Sequence, residues 1–246
     1  MKALITGAST GLGRDFAIAL SNMGYDLILV ARRKELLETL KEELKTNVEI
    51  IPLDLGSTFN CAKLYEKVKK QDIDILINNA GFGLGGEFVD TDLEKELDMI
   101  DLNLKAVHVL TKKFLKDFVE KDKGYILNVA SSAAFQPGPL MATYYGTKAY
   151  VYSMTTAIYE ELRRKKSKVY IGSLCPGPVE TDFFKTAKVE FKVPSLDSKF
   201  VVKYALKKMF KRKTVIIPGV FMKLSYYFGK LAPIKTKLKI IYNVKK

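Results

Sequence analysis

Short apolar runs recur along the chain, separated by segments in which apolar residues return every third or fourth position. The runs at 3–6, 26–31, 48–53, 73–78, 125–130, 169–175 and 214–218 have strand length and end in turn residues. Segments 11–23, 33–44, 59–69, 93–120 and 142–165 carry apolar residues at helical spacing. Strands that alternate with helices predict a parallel sheet. Runs such as DLILV and YILNV are apolar nearly throughout, as strands covered by helices on both faces must be. The expected fold class is therefore α/β: a doubly wound, seven-stranded parallel sheet with helices on both faces.

Only 180–196 reads as a long connection, with Phe183, Phe184, Phe191 and Pro194 in it. Its length in a compact domain suggests a lid. The chain has 246 residues, 48% of them hydrophobic, which suits one substantial core. The pattern assigns residues 1–221 to a single domain and 222–246 to a C-terminal extension.

Charge changes the picture only at that end. The net charge is +14, yet residues 1–197 balance 27 Lys and Arg against 27 Asp and Glu, while residues 198–246 hold 14 basic residues and no acid. Within the extension, Leu224, Tyr227, Phe228, Leu231, Leu238 and Ile241 share an apolar stripe if the chain is helical on either side of Pro233. Lys223, Lys230, Lys235, Lys237 and Lys239 supply its basic component. The pattern suits an anionic membrane surface, and equally packing on a partner subunit or beside a substrate cleft. Nucleic-acid binding ranks below both, and would have to reside in this tail.

Cys61 and Cys175 are far apart and lack C-x-x-C spacing, so no disulfide framework or cysteine zinc site is expected. His108 is the single histidine, which excludes a multi-histidine metal centre. Met1 leads directly into MKALITG, without the pattern of an export signal. The stretch 215–231 is interrupted by Pro218, Lys223 and Lys230 and falls short of a membrane span. A reduced, cytoplasmic setting follows as the expectation, with peripheral membrane association through 222–246 as its variant.

TGASTGLG at 6–13 joins the first strand to the first helix and spaces Gly7, Gly11 and Gly13 as G-x-x-x-G-x-G. Glycines there let backbone approach a pyrophosphate and aim helix N-terminal N–H groups at it. The second strand ends in Ala31, Arg32 and Arg33, with no carboxylate before Glu35. A basic residue at that place suits a 2′-phosphate, so NADPH is favoured over NADH.

Together TGASTGLG, NNAG at 78–81, Asn103, Ser131, Tyr144-x-x-x-Lys148 and PGPVET at 176–181 resemble the short-chain dehydrogenase/reductase family over roughly residues 1–200. The resemblance implies a Rossmann-like domain that binds NADP and is homodimeric or homotetrameric. It implies Tyr144 as the general acid or base, and Lys148 as the charge that lowers the tyrosine pKa and holds the nicotinamide ribose. Ser131 would bond the substrate oxygen, and Asn103 would hold a water leading from the lysine to solvent. Ser132 competes with Ser131, and the family's separation of thirteen residues before the tyrosine selects Ser131. Tyr145 is left as a packing or pocket residue.

The cofactor contacts carried over in the same way are Gly7, Ser9, Thr10, Gly11, Leu12, Gly13, Arg32 and Arg33 at the phosphate end. Asp54, Leu55, Asn78, Asn79, Ala80 and Gly81 would line the adenosine side, and Pro176, Gly177, Val179 and Thr181 the nicotinamide, with Tyr144 and Lys148 between. Phe135, Gln136 and Phe183, with Ser131 and the neighbouring Phe82, Leu84 and Phe184, would form an apolar substrate pocket. The expected activity is NADPH-dependent reduction of an apolar ketone or aldehyde, or oxidation of the secondary alcohol. The alternative is a nucleotide-sensing or scaffold protein that uses the basic tail for a partner.

Overall fold

The computed structural model describes residues 1–181, 183, 187 and 194–244, without the side chains of 228, 230 and 231. Seven parallel strands form one sheet: β1 Lys2–Thr6, β2 Asp26–Ala31, β3 Val48–Pro52, β4 Ile75–Asn78, β5 Tyr125–Val129, β6 Tyr170–Leu174 and β7 Val215–Ile216. Their order is β3-β2-β1-β4-β5-β6-β7. Strand order reverses between β1 and β4, where the crevice beyond the carboxyl ends of the strands admits a ligand.

Alternate side chains of β1 and β2 feed two cores. Ala3, Ile5, Leu27 and Leu29 pack with Phe16 and Leu20 of α1 (Gly11–Asn22) and with Val201, Leu206 and Met209 of the helix Ser198–Phe210. Leu4, Ile28 and Val30 pack on the other face with Leu64 of the helix Thr58–Val68 and with Phe114 and Phe118 of Val107–Glu120. The two-sided burial explains why these strands are apolar at every position.

In chain order the remaining helices are α2 Lys34–Glu43, α3 Thr58–Val68, α4 Leu93–Ile100, α5 Val107–Glu120, α6 Ala142–Arg164, α7 Ser198–Phe210, α8 Val220–Leu231 and α9 Ile234–Val244. The structure departs from expectation in three places. Residues 93–120 are not one α-helix: Asp101–Ala106 forms a π-helical turn between α4 and α5. Helix α7 is absent from the predicted elements, although Asp197 caps it by accepting from the Phe200 N–H at 2.7 Å. Strand β7 is shorter than the run at 214–218. The tail is helical on both sides of Pro233, as its apolar spacing requires.

Candidate active site

Thr6, the last residue of β1, fixes the glycine turn before the turn begins. Its Oγ1 accepts from the backbone N–H groups of Asn79 and Ala80 at 2.9 and 3.0 Å. Asn79 Nδ2 donates back to the carbonyls of Thr6 and Gly7 at 3.0 and 3.2 Å. The ends of β1 and β4 are thus locked together at the strand-order reversal. Gly7 adopts φ +66°, and a Cβ there would lie 2.8 Å from the Ala80 Cα. A Cβ on Gly13 would collide with the Gly7 carbonyl, so this glycine permits α1 to sit against the turn.

A cleft of about 370 Å³ opens above this junction. Its walls include Gly7, Ser9, Thr10, Gly11, Leu12, Arg32, Arg33, Asp54, Leu55, Asn79, Ala80 and Gly81 toward β2 and β3. Ser131, Tyr144, Lys148, Pro176, Gly177, Val179, Thr181 and Phe183 line the other end. Thr10 precedes α1 without a side-chain cap, leaving first-turn N–H groups available to an anion. Arg33 reaches back to Ser9 and Thr10 at 3.4 and 3.3 Å, and Arg32 lies 3.8 Å from Asp54. Glycine backbone, an uncapped helix start and two exposed guanidinium groups match the phosphates of a dinucleotide. The residues present fit NADP.

Some expected residues stand elsewhere. Gly13 supports the turn from behind. Asn78 is buried under the cleft and donates to Thr111 and Asn128 at 3.1 and 2.8 Å. It ties β4 to β5 and α5, because its place within the strand aims it into the sheet's packing. Phe135 turns away on the 3-10 turn Ser132–Phe135, its ring 5.3 Å from Tyr152 and 4.4 Å from Tyr226 of α8. Gln136 follows it toward Gly229, also outside the cleft wall. Phe184 and Phe191 lie outside the described residues. Phe82, Leu84 and Phe183 pack beside Tyr144, as an apolar pocket requires. Leu102, Ala133 and Pro178 also line the cleft and carry no sequence signal that distinguishes them from core or turn residues.

Tyr144, Lys148, Ser131 and Asn103 come together from α6, β5 and the π-turn. Ser131 follows β5 with its Oγ accepting from the Ala133 N–H at 3.1 Å, and its hydroxyl also bonds Tyr144. Lys148 lies one turn after Tyr144, its Nζ 5.9 Å from the tyrosine ring centroid. Asn103 is fully buried. Its Oδ1 accepts from the Phe82 N–H at 3.0 Å, its Nδ2 donates to the Phe82 carbonyl at 2.8 Å, and Thr147 Oγ1 lies 3.3 Å away. The π-turn supplies the extra residue that brings Asn103 to this position.

Burial governs the proton affinities. It pushes the Tyr144 phenol up to about 12, opposed by the Ser131 hydrogen bond. It pulls Lys148 down to about 8. The expected lowering of Tyr144 by Lys148 does not appear: the ammonium is directed at the Val129 carbonyl, and desolvation sets the phenol against the Ser131 hydrogen bond alone. Tyr145 lines the same cleft, and burial raises its phenol as well. Cys175 is buried and pushed up to about 12, which makes it an inert thiol. His108 lies on α5 with Nδ1 2.6 Å from the Tyr150 hydroxyl, away from the cleft. Among the described residues no group of three or more His, Cys, Asp or Glu side chains could hold a metal.

A family model described as short chain dehydrogenase matches residues 1–190. The very-long-chain 3-oxoacyl-CoA reductase of Laccaria bicolor is 31% identical over 204 residues, covering 80% of this chain. The match spans 60% of that relative's length. A short-chain dehydrogenase from Sphingobium yanoikuyae, solved in complex with NADPH, has a TM-score of 0.84 at 30% identity, with 94% of this chain and 93% of that one covered. The bulky-bulky ketone specific alcohol dehydrogenase from Comamonas testosteroni has a TM-score of 0.78 at 29% identity, with 94% and 92% covered.

Proposed function

The chain belongs to the short-chain dehydrogenase/reductase family of oxidoreductases, and from that premise we propose that it reduces apolar ketones or aldehydes with NADPH. One observation carries the reading: buried Tyr144 and Lys148, with Ser131 bonded to Tyr144, lie at one end of a cleft whose other end presents Arg32 and Arg33. A protein that only sensed a nucleotide would need the glycine turn but no buried proton donor.

When bound, NADPH supplies the hydride that reaches the carbonyl carbon. The chain's own residues handle the oxygen. Ser131 Oγ donates to the substrate oxygen and stabilises the charge that develops on it. Tyr144 gives its phenolic proton to that oxygen, forming the alcohol and leaving a phenolate. The Lys148 ammonium stabilises the phenolate by charge. Asn103, bonded to the Phe82 backbone, holds this end of the cleft in register with Gly81, whose missing Cβ would sit 2.7 Å from Asn103 Oδ1 and 3.5 Å from Lys148 Nζ. Arg32 and Arg33 would hold a 2′-phosphate, and their charge at this place favours NADPH over NADH.

Apolar substrate preference rests on Phe82, Leu84, Phe183 and Tyr145 around Tyr144. The relatives named for 3-oxoacyl-CoA and for bulky ketones are consistent with that class. The direct test is NADPH consumption over a panel of apolar ketones, aldehydes and 3-oxoacyl thioesters, repeated with NADH. Turnover with NADPH on at least one apolar carbonyl is expected. Binding of NADPH without turnover of any of them would leave the nucleotide-sensing alternative.

A further inference from the structure

Helix α8 is apolar on two opposite faces, and among the described residues one of them packs on the body while the other stands exposed. Met222 and Tyr226 point inward: the Met222 Sδ would lie 2.8 Å from a Cβ on Gly177, and the Tyr226 hydroxyl is 3.3 Å from that of Tyr152. Val220, Phe221, Leu224 and Tyr227 form the other face and are 73%, 65%, 50% and 64% exposed. On an ordinary surface helix that face is polar. Helix α9 adds Ile234 and Ile240, 51% and 58% exposed, while its Ile241 is buried in the cluster that contains Tyr144 and Tyr145.

Charge identifies what covers this face. Residues 222–246 contain seven lysines and no acid, against a balanced body over 1–197. A second copy of the chain would present either another lysine-rich tail, which repels, or a body over 1–197 whose charges balance and which offers no net attraction. Anionic lipid headgroups complement the lysines, and the acyl boundary below them accommodates Phe221, Leu224 and Tyr227. With 12 and 11 residues, α8 and α9 are too short to cross a bilayer but long enough to lie in its interface.

We propose that α8 and α9 dock the protein on an anionic bilayer, with the exposed side of α8 in the lipid and its inner side packed beside the cleft through Met222 at Gly177. Both helices reach the site, through Met222 against Gly177 and Ile241 in the apolar cluster that holds Tyr144. A lipid-dissolved substrate therefore meets the cleft at the membrane surface. The docking does not depend on the proposed reaction.

The test is co-sedimentation of the full chain with phosphatidylserine vesicles and with phosphatidylcholine vesicles. Binding to the first is expected, weakened by added salt and at least about tenfold weaker on the second. Phe221→Glu with Leu224→Glu should reduce binding about tenfold or more, because each places a charge in the apolar boundary. Lys235→Glu with Lys239→Glu should reduce it similarly. All four positions are exposed, so circular dichroism and reduction of a water-soluble ketone should match the parent protein. The proposal is overturned if the parent chain stays in the supernatant with phosphatidylserine, or if the Phe221 and Leu224 pair binds as well as the parent. It is equally overturned if that pair converts a dimer into a monomer, since a second copy would then cover the face.

Discussion

The Lys148 ammonium donates to the main-chain carbonyl of Val129 across 2.9 Å, at the end of β5 and with its side chain 5% exposed. The bond holds a buried cation one helical turn from Tyr144 and places its charge where β5 delivers Ser131. A lysine so enclosed releases its proton early, at about 8.

Reduction should follow that release. Tyr144 keeps its proton across the neutral range, since its phenol is raised to about 12. The Lys148 charge is present below about 8 and lost above it. The kcat/KM for reduction is therefore expected to stay level near neutrality and to fall as pH rises through about 8. A profile level to pH 10 would show that the Lys148 charge does not contribute.

Stability carries the opposite sign at the same residue. In the unfolded chain Lys148 keeps its proton up to the ordinary 10.5, whereas the fold gives it up at about 8. Between those values the unfolded state binds more protons, so stability from this group rises with pH, and below about 8 a constant penalty of about 3 kcal/mol remains. Lys148→Met should remove the penalty, lose about 1 kcal/mol with the Val129 bond, and melt above the parent at pH 7 while turnover disappears. Melting below the parent would refute the assignment of a buried, penalised charge.

The two adjacent phenols separate by substitution. Tyr144→Phe should lower kcat by about 100- to 10,000-fold with cofactor affinity retained. Tyr145→Phe keeps the ring that packs against Gly138 and should stay within a few-fold of the parent. Equal losses in both variants would remove Tyr144 as the sole donor.

At the far end of the cleft, Arg32→Asp should weaken NADPH about tenfold or more and leave NADH unchanged or tighter. Titrating each cofactor into the variant reads the effect directly. Unchanged discrimination would place the 2′-phosphate on Arg33 alone.

Asn103→Ala should destabilise the fold by about 2–4 kcal/mol, because the N–H and C=O of Phe82 each lose a partner at 3.0 and 2.8 Å. Thermal melting checks the loss. Asn103→Asp retains the acceptor for the Phe82 N–H but not the donor to its carbonyl, and should fall between.

The sheet was legible in sequence because both faces of its strands are buried, which leaves apolar runs with no competing reading. β2 spans the same residues as its predicted run, and α1, α2, α3 and α6 end within a residue of theirs. Helix α7 escaped because lysines at 199, 203, 207 and 208 thin its apolar stripe. Only Asp197, a cap that bonds the backbone three residues on, marks its start. The π-turn could not be read at all: DLNLKA keeps helical spacing, and the extra residue is specified by Asn103 finding Phe82 in a distant segment. The cleft wall was legible where glycine, charge or motif marked it. Asn78 and Phe135 show the limit, since a motif fixes neighbours in sequence while strand pleat and a 3-10 turn decide which way each side chain points.

Val179 and Leu196 form a parallel bridge, with Glu180 N–H donating to Leu196 at 3.0 Å and Leu196 N–H donating to Pro178 at 2.8 Å. The chain thus departs from the end of the cleft lined by Gly177 and Thr181 and comes back to the same spot. Between those two ends the described residues stay tied to the site: Thr181 would lie 3.1 Å from a Cβ on Gly11, and the Ala187 carbonyl accepts from the Gly85 N–H at 2.9 Å. A change of length or sequence in this excursion is therefore felt at once by both ends of the cleft wall, through Thr181 at the glycine turn and Phe183 at Tyr144.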